Sequence, residues 1–182
     1  IRARRCTRAR TENLDIRKTL GDKKGMALSL NNMGGILYTQ GEYEQARKYF
    51  EESLNIKKEI GGKNGIADSL NNLGSLSTFQ GDYEQAKKYY EESLAIRKEI
   101  GDKKGIADSL NNLGSLLSYQ GEYERAKIYS EESLAIRKEI GDKKGVADCL
   151  INLGGLSTFR GEYEQAKIYS EESLVICNDL GD

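Results

Sequence analysis

Residues 66–105 have the sequence IADSLNNLGSLSTFQGDYEQAKKYYEESLAIRKEIGDKKG, and residues 106–145 continue with IADSLNNLGSLLSYQGEYERAKIYSEESLAIRKEIGDKKG. The two stretches agree at 33 of 40 positions. Residues 26–65 and 146–182 keep the same frame, whereas residues 1–25 match only the second half of the unit. A fixed period of this length indicates a repeat array, in which each unit buries its apolar face against its neighbours.

Each unit is predicted to contain two helices, and the third unit shows the signals. Asp102 is a suitable N-cap for a helix from Lys103 to about Tyr119, and Gly121 supplies the stop. Glu122 then opens the second helix with a negative charge at its positive end, and Gly141 ends it. Apolar residues recur at helical spacing in both segments, as expected for two amphipathic helices that pack on each other.

Small residues recur where the two helices of a unit meet. The positions concerned are Gly34, Gly74, Gly114 and Gly154; Ala46, Ala86, Ala126 and Ala166; and Ser53, Ser93, Ser133 and Ser173. A glycine inside a helix costs about 1 kcal/mol relative to alanine. A close approach of the two backbones would offset that cost, so Gly74→Leu is predicted to force the hairpin open.

Composition favours a helical, water-exposed protein without catalytic chemistry. The 182 residues include no proline and no histidine, and 31% of them are charged although the net charge is only -1. The absence of histidine removes imidazole bases and most zinc sites. The GDKKG stretches lack the P-loop pattern, and the adjacent glutamate pairs diverge on a helix surface. The sequence therefore predicts no enzyme activity, no catalytic residue, no metal and no cofactor.

Cysteine content and hydropathy favour a cytoplasmic protein. Cys6, Cys149 and Cys177 show no CxxC spacing, and an odd, sparse set suits a reducing compartment in which the thiols are buried. No apolar run approaches the length of roughly 20 residues that a transmembrane helix needs. The chain begins without methionine and inside a motif, so we expect it to be a fragment of a longer protein.

The motifs of the unit resemble the tetratricopeptide repeat. The pattern is L-x-x-L-G, then G-[DE]-Y-E-x-A, then an aromatic and a small residue before leucine; the third unit supplies it through Leu110, Leu113, Gly114, Gly121, Tyr123, Ala126, Tyr129, Ser133 and Leu134. The period of forty and the missing proline differ from the usual pattern of 34 residues. Both features resemble the longer repeats of kinesin light chains and of Pins-type adaptors.

The resemblance implies an all-α fold of about nine helices, a right-handed superhelical solenoid of antiparallel helix pairs. First helices would line a concave groove and second helices would form the outer wall. One solenoid domain would comprise a partial repeat at 1–25, contributing a second helix only, and full repeats at 26–65, 66–105, 106–145 and 146–182.

One face of each first helix is the predicted binding surface. Steps of four, three and four place Asp108, Asn112, Ser115 and Tyr119 on the same side of the helix, and the resemblance places that side in the groove. The predicted peptide-binding residues are Asn32, Asn72, Asn112, Asn152, Asp68, Asp108, Asp148, Ser75, Ser115, Phe79, Tyr119 and Phe159. An asparagine amide matches the donor and the acceptor of a peptide backbone, so four in a row would form a ladder.

The residues of this face also allow roles without a ligand. The asparagines could be surface residues inherited by duplication, or could bond to the backbone of a neighbouring repeat. The second asparagine of each pair is the better ligand candidate, because the first is replaced by Ile151. The aromatic residues could pack between repeats or stack on a ligand. The aspartates favour basic or neutral partners and argue against a clamp for acidic peptides.

The leading functional hypothesis is a non-enzymatic scaffold that binds a protein or peptide segment, neutral to basic in charge. A self-associating module joined through the ends of the solenoid is one alternative, and the sensor arm of a larger signalling protein is another. Nucleic acid and membrane are not predicted partners. The arginine-rich start, IRARRCTRAR, could anchor to either, but a degenerate outer helix is the favoured interpretation.

Overall fold

The computed structural model describes residues 14–181, and every regular element in that range is a helix. The helices are α1 (residues 14–19), α2 (Lys23–Thr39), α3 (Tyr43–Ile60), α4 (Lys63–Phe79), α5 (Tyr83–Ile100), α6 (Lys103–Tyr119), α7 (Tyr123–Glu139), α8 (Lys143–Phe159) and α9 (Tyr163–Leu180). Within these residues the predicted all-α fold and the number of helices are confirmed. The arginine-rich stretch and Cys6 lie outside the described residues.

The chain divides into two compact units, and each is built from packed helical hairpins. The first unit ends at Ile96 and the second begins at Arg97, so α5 contributes residues to both. In the first unit α3 packs against α2 and α4. In the second unit α7 packs against α6 and α8, and α8 packs against α9. The predicted arrangement of all repeats in one domain stays a prediction.

The helix ends lie where the sequence signals predict them. Helix α6 spans Lys103–Tyr119, and the side chain of Asp102 accepts a hydrogen bond of 3.0 Å from the backbone N–H of Gly105. Gly121 and Gly141 have φ of 78° and 70°. Because a residue with a side chain rarely adopts this left-handed conformation, glycine closes both turns of the repeat.

The small residues bring the two helices of each hairpin into close contact, as predicted. Ser133 Oγ donates to the backbone oxygen of Ala107 at 2.8 Å, and the corresponding bonds are Ser53 to Ala27, Ser93 to Ala67 and Ser173 to Ala147. A Cβ atom added to Gly74 would lie 2.6 Å from Cε1 of Tyr90, closer than packed atoms come. The serine therefore contributes a hydrogen bond between the two helices, in addition to the close approach that its small size allows.

Two leucine-rich clusters form the apolar cores of the units. In the first unit Leu70, Leu73 and Leu76 pack with Phe50 and Leu54. In the second unit the corresponding cluster contains Leu117, Ala126, Leu153 and Leu156. No described helix combines the length and the apolar character needed to cross a membrane.

Candidate functional site

A cleft opens beside the first helices of two consecutive repeats in each unit. The first cleft has a volume of about 620 Å3 and is lined by Asn31, Asn32, Gly35, Ile36, Tyr38, Phe50, Asn72 and Ser75. The second cleft has a volume of about 300 Å3 and is lined by Gly114, Ser115, Ser118, Tyr119, Ser130, Ile151, Asn152, Gly155, Leu156 and Phe159. Many of these residues hold the same positions in the repeat, so the two clefts are versions of one feature.

Seven of the twelve predicted binding residues line these clefts. They are Asn32, Asn72 and Ser75 in the first cleft and Ser115, Tyr119, Asn152 and Phe159 in the second. The other five, Asn112, Asp68, Asp108, Asp148 and Phe79, line neither cleft. The structure thus places both predicted serines and three of the four predicted asparagines in the clefts, and none of the predicted aspartates.

The asparagine pairs connect one repeat to the next. Nδ2 of Asn72 donates to Oδ1 of Asn31 at 3.0 Å, and Nδ2 of Asn152 donates to Oδ1 of Asn111 at 2.9 Å. In both cases the second asparagine of one repeat bonds to the first asparagine of the repeat before it. The second asparagine therefore has a structural partner, and that partner is a side chain of the neighbouring repeat and not its backbone.

This bond leaves part of each amide available to a ligand. An asparagine amide has two N–H donors and an oxygen with two lone pairs, and the bond between Asn72 and Asn31 uses only one donor and one lone pair. At Asn111 the oxygen is also 3.7 Å from the Cys149 thiol, which donates to it. The first asparagine is consequently an integral part of the site, although its replacement by Ile151 in the fourth repeat makes it the weaker ligand candidate.

A buried arginine occupies the aspartate side of the first helices. Arg137 is 6% exposed, and its Nη1 and Nη2 lie 2.6 Å from Asp142 and 2.5 Å from Asp108. Burial, the largest influence, lowers the pKa of Arg137, but the neighbouring Asp108 and the hydrogen bonds to both carboxylates outweigh it and raise the pKa. The guanidinium is thus charged, and it neutralises an aspartate that the sequence suggested for ligand binding.

Sequence reasoning missed this arginine because the charged residues of LAIRKE are typical of a solvated helix face. A usable signal was present: Arg137 follows Ser133 by four residues and therefore lies on the same, inward face of α7. A cation also recurs at positions 17, 57, 97 and 137. Arg97, at the same position in the preceding repeat, is 7% exposed and lies 3.0 Å from Asp102.

The first full repeat lacks the two acidic partners that Arg137 has in the third repeat. Leu28 and Gly62 stand where the third repeat has Asp108 and Asp142, and the cation is Lys57. Lys57 Nζ donates to Ser69 Oγ at 2.8 Å. Burial lowers the pKa of Lys57, and the carboxylate of Asp68 only partly opposes that shift.

The fourth repeat lacks the cation and has the aspartate. Cys177 stands at the position of Arg137, and Asp148 is exposed. The arginine that neutralises Asp108 thus has no counterpart at the corresponding position beside Asp148. Of the three aspartates predicted to bind a ligand, Asp148 is therefore the one that has cysteine in place of the arginine and whose carboxylate is exposed at the surface.

The aromatic residues at the ends of the first helices pack between repeats while staying largely exposed. Phe79 contacts Tyr38 and Tyr43, with ring centroids 5.5 and 5.7 Å apart. Phe159 stacks on Tyr123 at 5.6 Å with an interplanar angle of 7°. Phe159 is nevertheless 69% exposed and lines the second cleft, so packing between repeats leaves one of its surfaces open to a ligand.

Comparison with known proteins agrees with the repeat architecture. A family model for the tetratricopeptide repeat matches residues 25–99 and 105–179. No curated protein matches the chain. Repeats of this family are in general non-enzymatic modules for protein interaction. Among residues 14–181 of the present chain, no three or more acidic or cysteine side chains form a group that could hold a metal ion.

Several solved structures share the fold at low sequence identity. BtubC (BKLC) from P. vanneervenii is 21% identical with a TM-score of 0.77, over 92% of this chain and 78% of that one. A putative kinesin light chain from Podospora anserina with nearly identical repeats is 16% identical with a TM-score of 0.72, over 92% and 83%.

A Rap protein in complex with competence and sporulation factor is also similar, at 16% identity and a TM-score of 0.80. The match covers 86% of this chain but 44% of the Rap protein, so the chain corresponds to less than half of that relative. The family model covers most of the present sequence in two consecutive matches. This chain therefore belongs to the tetratricopeptide repeat family.

Proposed function

We propose that this chain is a non-enzymatic scaffold that binds an extended segment of a partner protein in a cleft beside the first helices of consecutive repeats. The observation that carries the proposal is the repeated placement of an asparagine amide, Asn72 or Asn152, in a cleft beside the first helices of consecutive repeats. The same amide is held by an asparagine of the preceding repeat. An amide with a fixed orientation loses little freedom when it binds a ligand.

The available groups suit a peptide backbone more than a particular side chain. Each asparagine offers a donor and an acceptor, and the N–H and C=O groups of an extended chain need one of each. A hydrogen bond of this type contributes about 0.5–1.5 kcal/mol. Two such contacts give weak binding, so the remaining cleft side chains must supply most of the affinity and the selectivity.

The proposed partner segment is neutral to basic. Asp148 is exposed, and Cys177 replaces the arginine that neutralises the corresponding Asp108. A lysine, an arginine or an amino terminus of the ligand would pair with the Asp148 carboxylate. The similarity to a Rap protein complexed with competence and sporulation factor supports a peptide or protein as the class of ligand.

The test uses a random peptide library displayed on phage, followed by affinity measurements on the enriched peptides. Asn72→Ala and Asn152→Ala should each weaken binding of an enriched peptide by about two- to tenfold. Asn55→Ala is the matched control, because Asn55 is an exposed asparagine on the second helix of its repeat. Failure to enrich any peptide, or affinities of Asn72→Ala and Asn152→Ala that both equal the affinity of Asn55→Ala, would contradict the proposal.

A second candidate function is self-association through α9. Leu174 and Val175 are both 60% exposed, and Ile168 is 53% exposed. Leu134 holds the position of Leu174 in the third repeat, where it packs against the core cluster of the second unit. Only Leu174 therefore exposes a position that this chain packs elsewhere, because Ile128 and Ala135, the counterparts of Ile168 and Val175 in the third repeat, are also exposed. A second copy is the proposed occupant of the apolar surface around Leu174.

Light scattering over a concentration series tests self-association. We expect the molar mass to rise with concentration for the unmodified chain and to stay at the monomer value for Leu174→Lys. Glu171→Gln, at an exposed position of the same helix, raises the net charge by the same single unit and is the control. A monomer mass at all concentrations for the unmodified chain would exclude this candidate.

A further inference from the structure

The start of α4 differs from the starts of the other three first helices. In α2, α6 and α8 a capping aspartate accepts a hydrogen bond from the backbone N–H of the glycine three residues later, at 2.8, 3.0 and 3.1 Å. Gly62 stands at the capping position of α4 and has no side-chain oxygen. The N–H of Gly65 therefore has no acceptor among residues 14–181, and the first turn of α4 lacks the bond that holds the other three turns closed.

The residue before Gly65 also differs from its counterparts. Asn64 stands where the other repeats have Lys24, Lys104 and Lys144. Asn64 and Gly65 form the one Asn-Gly pair of the whole sequence, and Asn64 is exposed. The uncapped turn and this pair thus occur at the same point of the chain.

The glycine that follows Asn64 has a packing role of its own. A Cβ atom added to Gly65 would lie 3.1 Å from Cδ of Lys57, which is tighter than ordinary contact. Packing therefore favours a residue without a side chain directly after Asn64. Such a residue leaves Cγ of Asn64 open to attack by the nitrogen that follows it, and its backbone adapts readily to a new conformation.

We infer that Asn64 is a site of spontaneous deamidation. The backbone nitrogen of Gly65 attacks Cγ of Asn64, a new C–N bond forms, and the bond from Cγ to Nδ2 breaks. The proton of the attacking nitrogen passes through solvent to the leaving amide, which departs as ammonia, and a cyclic succinimide remains. Water then opens the ring at either carbonyl and gives aspartate or isoaspartate. The reaction needs no reagent except water, and the inference does not depend on the proposed function.

Ring closure requires the first turn of α4 to open, because a helical backbone holds the Gly65 nitrogen out of line with Cγ of Asn64. Opening breaks no capping bond here, since Gly62 supplies none. Glycines at positions 61, 62 and 65 also make the segment conformationally permissive. The other first helices resist the reaction twice over, because their N–H is capped and a lysine stands in place of the asparagine.

Deamidation changes the charge of one helix face as well as the backbone. Steps of four place residue 64 on the same face of α4 as Asp68 and Asn72, so the product adds a carboxylate to the predicted binding surface. An aspartate at this point is favoured by the positive end of the helix. An isoaspartate inserts a methylene group into the backbone and disrupts the first turn.

Mass spectrometry of the folded chain, stored at mildly alkaline pH, measures the conversion. Trypsin releases residues 64–87 as one peptide that also contains Asn71 and Asn72, so its fragment ions compare three asparagines in the same molecule. The acid should accumulate at residue 64 and not at the other two, and faster at higher pH because the attacking nitrogen must lose its proton. A sample digested at time zero sets the background. Asn64→Lys, which installs the residue of the other repeats, should show no conversion.

Variants at Gly62 test the role of the missing cap. Gly62→Asp and Gly62→Asn each supply an acceptor for the Gly65 N–H and should slow the conversion about two- to fivefold. The asparagine variant does so without adding charge, so it separates capping from electrostatic repulsion. Gly62→Ala removes the same glycine without supplying an acceptor and should protect less than either.

Two results would overturn the inference. The first is an unconverted residue 64 in the folded chain together with conversion in urea, because the start of α4 would then protect Asn64. The second is an equal rate for the unmodified chain and both capping variants, because the missing cap would then have no influence on the reaction. Conversion at Asn64 that both capping variants slow supports it.

Discussion

Arg137 and Asp108 are joined by a bond of 2.5 Å between Nη2 and Oδ1, which ties α7 to α6 inside the third repeat. The same guanidinium reaches Asp142 in the turn that leads to α8. One side chain thus connects both helices of a repeat to the start of the next repeat. Because the arginine is almost fully buried, it contributes to stability in a way that exposed ion pairs do not.

Arg137→Ala should lower the free energy of unfolding by about 2–4 kcal/mol, since removal of one partner leaves Asp108 and Asp142 uncompensated. Lys138→Ala is the matched control. Lys138 pairs with Glu172 at 3.2 Å, but both side chains are about half exposed, and such a pair contributes at most about 1 kcal/mol. Urea denaturation of both variants measures the difference, and equal losses would show that burial of Arg137 is irrelevant.

Stability should fall in acid partly through Asp142. The hydrogen bond from Gly145, the largest influence, and the neighbouring Arg137 hold the pKa of Asp142 below its ordinary value of 3.8. Between the folded pKa and that ordinary value the unfolded chain binds more protons, so stability is present above the ordinary value and is lost as the pH falls through the folded pKa.

Asp142→Asn isolates this contribution, because asparagine also caps helices but does not titrate. The variant should be less stable than the unmodified chain at pH 7, and the difference should shrink as the pH falls below about 4. Thermal unfolding at a series of pH values checks the prediction. A difference that stays constant down to strong acid would contradict the assigned pKa shift.

Gly62→Asp should stabilise the first unit. Gly62 has φ of -81° and ψ of 83°, close to the values of -76° and 83° at the capping residue Asp102, so aspartate fits without strain. The new carboxylate would cap α4 and approach Lys57. We expect a gain of about 0.5–1 kcal/mol in the free energy of unfolding.

The reverse change, Asp102→Gly, provides the comparison in the same motif. It removes the cap of α6 and the partner of Arg97, and it should destabilise the chain by more than Gly62→Asp stabilises it. Denaturant midpoints of the two variants give the comparison. Destabilisation by Gly62→Asp would mean that the caps of the two repeats are not equivalent.

The glycines of the hairpin contact should differ in their tolerance of alanine. A Cβ atom at Gly74 would lie 2.6 Å from the Tyr90 ring, whereas one at Gly154 would meet its nearest atom at 3.5 Å. Gly74→Ala should therefore lose about 1–3 kcal/mol of stability through overpacking, and Gly154→Ala should be neutral or stabilising because alanine favours helix. Gly74→Leu should open the hairpin, and an unchanged melting temperature for that variant would refute the packing argument.

The repeat signals were sufficient for the fold of the described residues. Helix α6 has the predicted bounds because Asp102 and Gly121 act within a few residues of themselves, through a side-chain cap and a left-handed turn. Such local rules need no knowledge of the neighbouring repeats. The same applies to the small residues of the hairpin, whose spacing in the sequence corresponds to one face of a helix.

The candidate site depended on contacts that a single repeat does not contain. The partner of Asn72 is 41 residues away, at Asn31, and a helical wheel of one unit cannot show it. Charge pattern alone also cannot distinguish Arg137 from its exposed neighbour Lys138, because the difference lies in which side of α7 meets the next helix. The aromatic Phe79 illustrates a third case, since it packs on Tyr38 while remaining exposed.

The hydrogen bond between asparagines of consecutive repeats has a consequence for how such an array can lengthen by duplication. The donor and the acceptor of this hydrogen bond are adjacent residues of the forty-residue unit. A unit that is duplicated in tandem therefore carries both the asparagine that donates to the repeat before it and the asparagine that accepts from the repeat after it. A copy of the second or third repeat brings both asparagines with it, so no compensating mutation is needed to form this hydrogen bond. A copy of the fourth repeat would interrupt it, because Ile151 has no side-chain amide to receive the asparagine that follows.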